Sequence, residues 1–287
     1  MGAALLVPAQ VRSLHGLTVL AFISNIAVIA ALVLILVSFI ADGRAEDVEV
    51  NLWPGSSDFI TFYGSLASFI FSFQGQSMFL EIMTEMQDSR KFPASVCTAN
   101  IFMSAVYFVT TGLSYYYRGN AVADFLPQSL THGPLRTVVC ILICFHVVVS
   151  YLLTAQPLMF TLHERIWPKT VYLKTWTSQL HWGCITVGAV VMAFLVANAI
   201  PFFSAFQNII GSLLGSPIVF GWPALFFLRA SYIHDSRVSW FDFCMCWLFL
   251  LVVFPTTCIL GLYNAVTSLI DDWQTFGKPF GCTQTGY

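Results

Sequence analysis

The sequence predicts an all-α polytopic membrane protein of about seven transmembrane helices, on three observations. Hydrophobic residues make up 57% of the 287 and charged residues only 9%, for a mean hydropathy of +0.78, whereas a soluble domain carries about 25% charge. Apolar windows near the ~20 residues that cross a bilayer as a helix recur seven times, at 16–40, 58–83, 94–117, 136–160, 180–200, 202–228 and 239–270. The stretches between them are short and polar, which leaves a single transmembrane domain over 1–287 and no room for a second, soluble one. A net charge of −2 with no run of like charge offers nucleic acid nothing to bind. The partner that composition calls for is the lipid bilayer.

The first window, 16–40, carries no charged residue. Ahead of it, Met1 to Gly16 lacks a charged start followed by a cleavage site, so no signal peptide is expected. The second window departs from its neighbours. Within FITFYGSLASFIFSFQGQSMFLEIM (Phe59 to Met83), the amides of Gln74 and Gln76 flank Gly75, and Ser77 follows. An unpaired polar group at that depth costs several kcal/mol. Either the helix breaks at Gly75 and presents free carbonyls and amides near the midplane, or it kinks there and neighbouring helices satisfy the amides. Beyond the break, Glu81 is the deepest of the boundary charges Glu81, Glu85, Asp88, Arg90 and Lys91. These charges anchor the inner edge or form a gate.

The third window, 94–117, leads into a fourth in which His146, Ser150 and Thr154 recur every four residues and so share a helix face. Hydroxyls at that spacing suit a small hard cation, while a proton needs a titrating group, for which His146 is the nearest candidate. The competing reading is that the hydroxyls bond to their own backbone four residues back. Gln156-Pro157 follows, and the proline frees a carbonyl. Only Asn198-Ala199-Ile200-Pro201 separates the fifth and sixth windows, which are two spans or one broken element. Gly211 and Gly215 in the sixth have the spacing that lets helices approach closely. In the last window Pro255 predicts a kink, Asp242 an interfacial position and Asn264 a packing contact.

Seven of the eight cysteines, Cys97, Cys140, Cys144, Cys184, Cys244, Cys246 and Cys258, fall within or at the ends of apolar windows, so no disulfide framework follows. Cys244 and Cys246 lack zinc-site spacing. No hydrolase elbow, phosphate loop or metal-binding histidine pair is present. Enzymatic chemistry therefore has no carrier, and no catalytic residue, metal or cofactor is assigned.

Lysine and arginine set the orientation. With the first span running outward, the inner side holds Arg12, Arg90, Lys91, Arg165, Lys169, Lys174, Arg229 and Arg237, and the outer side Arg44, Arg118, Arg136 and Lys278. Eight against four places the amino end inside under the positive-inside rule.

Three blocks then resemble the amino acid/auxin permease family. FSFQGQSMFLEIMTEMQDSRKFPASV (Phe71 to Val96) is similar to that family's sixth membrane helix and the turn after it. SYLLTAQPLMFTLHERI (Ser150 to Ile166) is similar to its eighth. IPFFSAFQNIIGSLLGSPIVFGWPALFFL (Ile200 to Leu228) resembles its Pro-Phe-Phe entry, Gly-Ser helix and Pro-Ala-Leu exit. The resemblance implies part of a five-plus-five inverted-repeat fold. In that alignment 16–40 matches the family's fifth helix, 58–228 the second repeat and 239–270 the last helix, so the family's first four helices are expected to be missing here.

What the resemblance implies about function is ion-coupled secondary active transport of amino acids by alternating access. The substrate amino acid would lie against Phe73, Gln74, Gly75, Gln76 and Ser77. Coupling would use sodium or a proton, with Ser150 and Thr154 as the sodium positions, His146 as the titrating one and Glu81 as a gate. Other readings fit less well: a non-transporting membrane partner of a longer relative or a truncated remnant, and, less well still, a seven-helix receptor, whose amino end would lie outside. The particular amino acid, the membrane and the oligomeric state are not legible in these residues.

Overall fold

In a computed structural model, residues 10, 18–44, 48–50, 59–173, 175–199, 203–235 and 237–276 are described, and among them every regular element is helical. The chain divides into two compact units, one of residues 1–53 and 86–195 and the other of residues 54–85 and 196–287.

The first unit holds α1 (Thr18–Asp42), α4 (Phe92–Arg118), α5 (Pro134–Ile166) and most of α6 (Trp176–Ala199). Its main seam is α1 against α5. Ala31, Ile35 and Phe39 recur every four residues along one face of α1, and all three are fully buried with Val139 of α5 and Leu130 just ahead of it. Both α4 and α5 carry a proline in their first turn, where no intrahelical donor is lost. At the far end of α1, Asp42 accepts a 2.7 Å hydrogen bond from Arg118 of α4, whose guanidinium also lies 4.9 Å from the Phe39 ring. Gly119, at φ +55°, then turns the chain so tightly that a Cβ there would run into the Glu49 carbonyl.

The second unit holds α2 (Phe59–Ser72), α3 (Phe79–Glu85), α7 (Phe203–Ile210), α8 (Trp222–Ile233), α9 (Trp240–Leu248) and α10 (Phe254–Phe276). From α7 to α8, and again from α9 to α10, the chain stays helical but widens into π turns at Gly211–Gly215, Pro217–Gly221 and Phe249–Val253. Each π turn ends two residues before a proline, namely Pro217, Pro223 and Pro255. A proline has no N–H for the carbonyl four residues earlier. The wider turn reassigns the bonds: Ser216 N–H donates to Gly211 O, Trp222 N–H to Pro217 O and Phe254 N–H to Phe249 O, each five residues back. The kink expected at Pro255 is thus absorbed over the turn before it.

Among the described residues, six helical stretches are long and apolar enough to cross a membrane: Val19–Asp42, Ser89–Ala121, Pro134–Ile166, Trp176–Asn198, Ser204–Ile233 and Trp240–Asp271. The chain is a multi-pass integral membrane protein. The second window, 58–83, is no continuous span, because its helix stops at Ser72 and resumes past Gly75. Whether 198–201 is a turn or a break falls on residues 200–202, outside the described ones. The glycines expected to allow close approach do so. A Cβ on Gly211 would strike the Ala67 carbonyl of α2, and one on Gly215 would lie 2.8 Å from Ile70 Cγ2. Asn264 of α10 packs on Gly64 of α2, as the packing expectation has it, and Asp242 is exposed in the first turn of α9.

Candidate functional site

The break in the second unit comes from a few backbone bonds. The last α-helical bond of α2 at the break is Phe73 N–H to Phe69 O, 3.2 Å, after which the register shortens: Gln74 N–H donates to Phe71 O (3.2 Å) and Gly75 N–H to Phe73 O (2.9 Å). The chain recovers a 3₁₀ turn at Gln76–Met78, with Met78 N–H on Gly75 O at 3.1 Å, and then α3. Gly75 sits at φ −110°, ψ −10°, which other residues also adopt, and a Cβ there would meet only Phe79 at 3.5 Å. The break lies where the sequence puts it, but it does not draw on glycine's conformational freedom. The Gln76 side chain folds back, its Oε1 accepting from Gly75 N–H at 3.0 Å. Phe73, Gln74 and Gln76 are half-buried, and Gly75 and Ser77 are exposed.

Gln74 is the member of the group that points inward. Its Oε1 is buried with no hydrogen-bond partner among the described residues, and a Cβ on Gly215 would come within 2.9 Å of it. Only glycine at 215 leaves room for this amide. A file of buried hydroxyls runs behind it: Ser212 and Ser216, both fully buried, and Thr257 of α10. Ser212 Oγ donates to Asn208 O (2.7 Å), Ser68 Oγ to Asn208 Oδ1 (2.6 Å) and Ser216 Oγ to Phe254 O (3.1 Å), while Ser216 and Thr257 share a short hydroxyl contact. All these hydroxyls are satisfied, so the Gln74 acceptor stands out as an unfilled polar group.

Glu81 lies in the first turn of α3 with an exposed side chain. Further along the chain, Asp88 pairs with Lys91, exposed and loose at 3.9 Å.

In the first unit, His146 and Ser150 do meet, Nε2 to Oγ at 3.4 Å. Sequence reading missed Ser24 of α1, which is almost fully buried and closes the cluster from the other side: its Oγ lies 2.9 Å, and its carbonyl 3.2 Å, from His146 Nδ1. A separation of 122 residues gives no local signal for that pairing. Thr154 takes the competing course weighed above. It is exposed, and its hydroxyl donates to the Ser150 carbonyl at 2.9 Å, four residues back.

A second polar cluster, also unforeseen, joins the end of α5 to the start of α6. The Thr170 hydroxyl lies 3.2 Å from His163 Nε2, 3.1 Å from His181 Nδ1 and 3.1 Å from the Trp167 carbonyl. On the same turn Tyr172 donates to Glu164 at 2.9 Å. That bond, and then the carboxylate's charge, push the phenol's pKa up. Among the described residues no three His, Cys, Asp or Glu side chains are placed to hold a metal ion.

A helix interrupted at residues 73–75, its Gln74 amide seated against Gly215, gives this multi-pass helical membrane protein a polar interior. The chain belongs to the transmembrane amino acid transporter protein family, whose model matches residues 1–267. It is 27% identical over 287 residues to the N amino acid transport system protein of Neurospora crassa, covering 94% of this chain and 60% of that protein. It is 28% identical over 231 residues to amino acid transporter AVT3C of Arabidopsis thaliana, covering 80% of this chain and 49% of that one. To auxin transporter-like protein 5 of Medicago truncatula it is 23% identical over 221 residues, 75% and 43% of the two chains. The chain thus spans 43% to 60% of the length of these relatives. No solved structure matches it.

Proposed function

We propose that the chain works in ion-coupled, secondary active transport of amino acids by alternating access. The single observation that carries this reading is the break at residues 73–75, with the buried acceptor of Gln74 unpaired above Gly215. An α-amino acid presents an ammonium donor and a carboxylate acceptor. Gln74 Oε1 matches the first, and backbone N–H groups freed at a helix break match the second. Family membership and the names of the relatives, amino acid transport proteins among them, support the same substrate class.

Substrate and coupling ion would each favour one helix arrangement over the other, and that differential binding drives the cycle. His146, Ser150 and Thr154 are the proposed coupling positions, for sodium or a proton, and Glu81 the proposed gate. The test is uptake of radiolabelled amino acids by the purified protein in liposomes, with imposed sodium or proton gradients. Concentrative uptake that collapses with the gradient supports the reading. Binding with no gradient-driven accumulation, in either gradient, overturns the coupling.

A further inference from the structure

A cluster of two imidazoles, one hydroxyl and two indoles lies beneath the α5–α6 turn. Two imidazoles, His163 and His181, stand with ring centroids 6.1 Å apart and planes perpendicular, and the Thr170 hydroxyl sits between them within hydrogen-bond distance of a nitrogen on each. Two tryptophans flank the pair. Trp167 stacks on His181 at 4.2 Å and 8°, and Trp182, itself 1% exposed, leans on His163 at 6.2 Å. Indole faces attract a positive charge, most strongly where water is excluded, and His163 is 0% exposed. Along the chain, the described charged or titratable residues that flank the three are Glu164 and Arg165 on α5, Lys169 and Tyr172 on the turn and Cys184 on α6. Glu164 is occupied by Tyr172, and Arg165, Lys169 and Cys184 are exposed.

We infer that His163, Thr170 and His181 form one proton-binding site, in which a single proton is passed between the two histidines through the threonine hydroxyl. The hydroxyl has one hydrogen and two lone pairs. With the charge on His181, its Nδ1–H donates to Thr170 Oγ1, and the hydroxyl donates to a bare Nε2 on His163. Transfer moves the Nδ1 proton to Oγ1 and the Oγ1 proton to Nε2, leaving His181 neutral and His163 an imidazolium. No atom moves beyond hydrogen-bond reach and no other reactant is needed. Two charges so close repel, so the site takes one proton at a time, and its two rings titrate as a unit. The Trp167 carbonyl, which also receives Thr170 N–H at 3.1 Å, does not depend on the hydroxyl for its partner.

The binding site stands on this geometry alone, whereas its bearing on transport rests on the reading above: a proton lodged here sets the pH dependence of uptake. The experiment uses the full chain with ¹⁵N-labelled histidine in lipid nanodiscs, followed by ring ¹⁵N shifts against pH, with signals assigned from His163→Asn and His181→Asn. Expected is one shared step for the two rings, which separates into two unlike steps in Thr170→Val and is restored in Thr170→Ser. Independent titration in the unaltered chain, or His181 titrating while His163 never changes, overturns the site. Uptake in liposomes is measured in parallel. A shift of its pH profile by Thr170→Val, reversed by Thr170→Ser, supports the link to transport. An unmoved profile beside a shared titration step keeps the site and removes that link, and absence of uptake at every pH counts against the transport reading rather than the site.

Discussion

Gly211→Ala is the sharpest structural test, because the same exchange elsewhere in the chain has the opposite sign. At Gly211 the new methyl group would overlap the Ala67 carbonyl oxygen and lie 2.9 Å from the Ala67 carbonyl carbon, with Phe71 Cβ at 3.3 Å. Two of these three neighbours are backbone, so α2 itself must move by about 1 Å to restore ordinary contact, and overpacking of this kind costs about 1–3 kcal/mol. At Gly112, on the exposed face of α4, a Cβ meets nothing within 4 Å. There alanine gains up to about 1 kcal/mol of helix propensity. The two variants should therefore differ by about 2–4 kcal/mol, which is well over tenfold in an unfolding constant. Circular dichroism during unfolding in mixed micelles reads this directly, with Gly112→Ala at or above the unaltered protein and Gly211→Ala below it. Equal stability of the two would refute the close seam between α2 and the first π turn.

Three further outcomes follow from particular contacts. Ser24→Ala removes the hydroxyl 2.9 Å from His146 and should cost about 1–2 kcal/mol, while Ser65→Ala, on an exposed hydroxyl bonded to its own helix, should cost far less in the same unfolding assay. Asp42→Asn should weaken the protein by under about 1 kcal/mol, since the carboxylate is 38% exposed. Arg118→Ala should cost more, because it also strips the cation from the Phe39 ring. Gly119→Ala should destabilise by about 1–3 kcal/mol, given its positive φ and the Glu49 carbonyl against it, and thermal melting would register it.

Some of this architecture was legible in the residues themselves. The amides of Gln74 and Gln76 marked the break because polar side chains do not sit in hydrocarbon without a reason. Gly211 and Gly215 marked the seam because only glycine lets backbones approach so closely. Other features left weaker traces. The three π turns have a local cause in Pro217, Pro223 and Pro255, yet a proline predicts a disturbed helix and not the widened turn that accommodates it. Thr154 stood in register with His146 and Ser150, but register says nothing about rotamer, and its hydroxyl turned to its own backbone. The pairing of Ser24 with His146 and the closing of His163 onto His181 across a turn depend on tertiary packing, for which no spacing rule exists.

The central claim is that the buried amide of Gln74 receives the substrate, and Gln74→Leu tests it most directly. The exchange keeps side-chain bulk beside Gly215 and removes a buried, unpaired acceptor, so stability should hold or rise. Amino acid uptake into liposomes should need at least about tenfold more substrate for half-maximal rate, the cost of about 1.4 kcal/mol of lost binding. Unchanged half-saturation and maximal rate in Gln74→Leu would contradict the account and move the substrate away from the break.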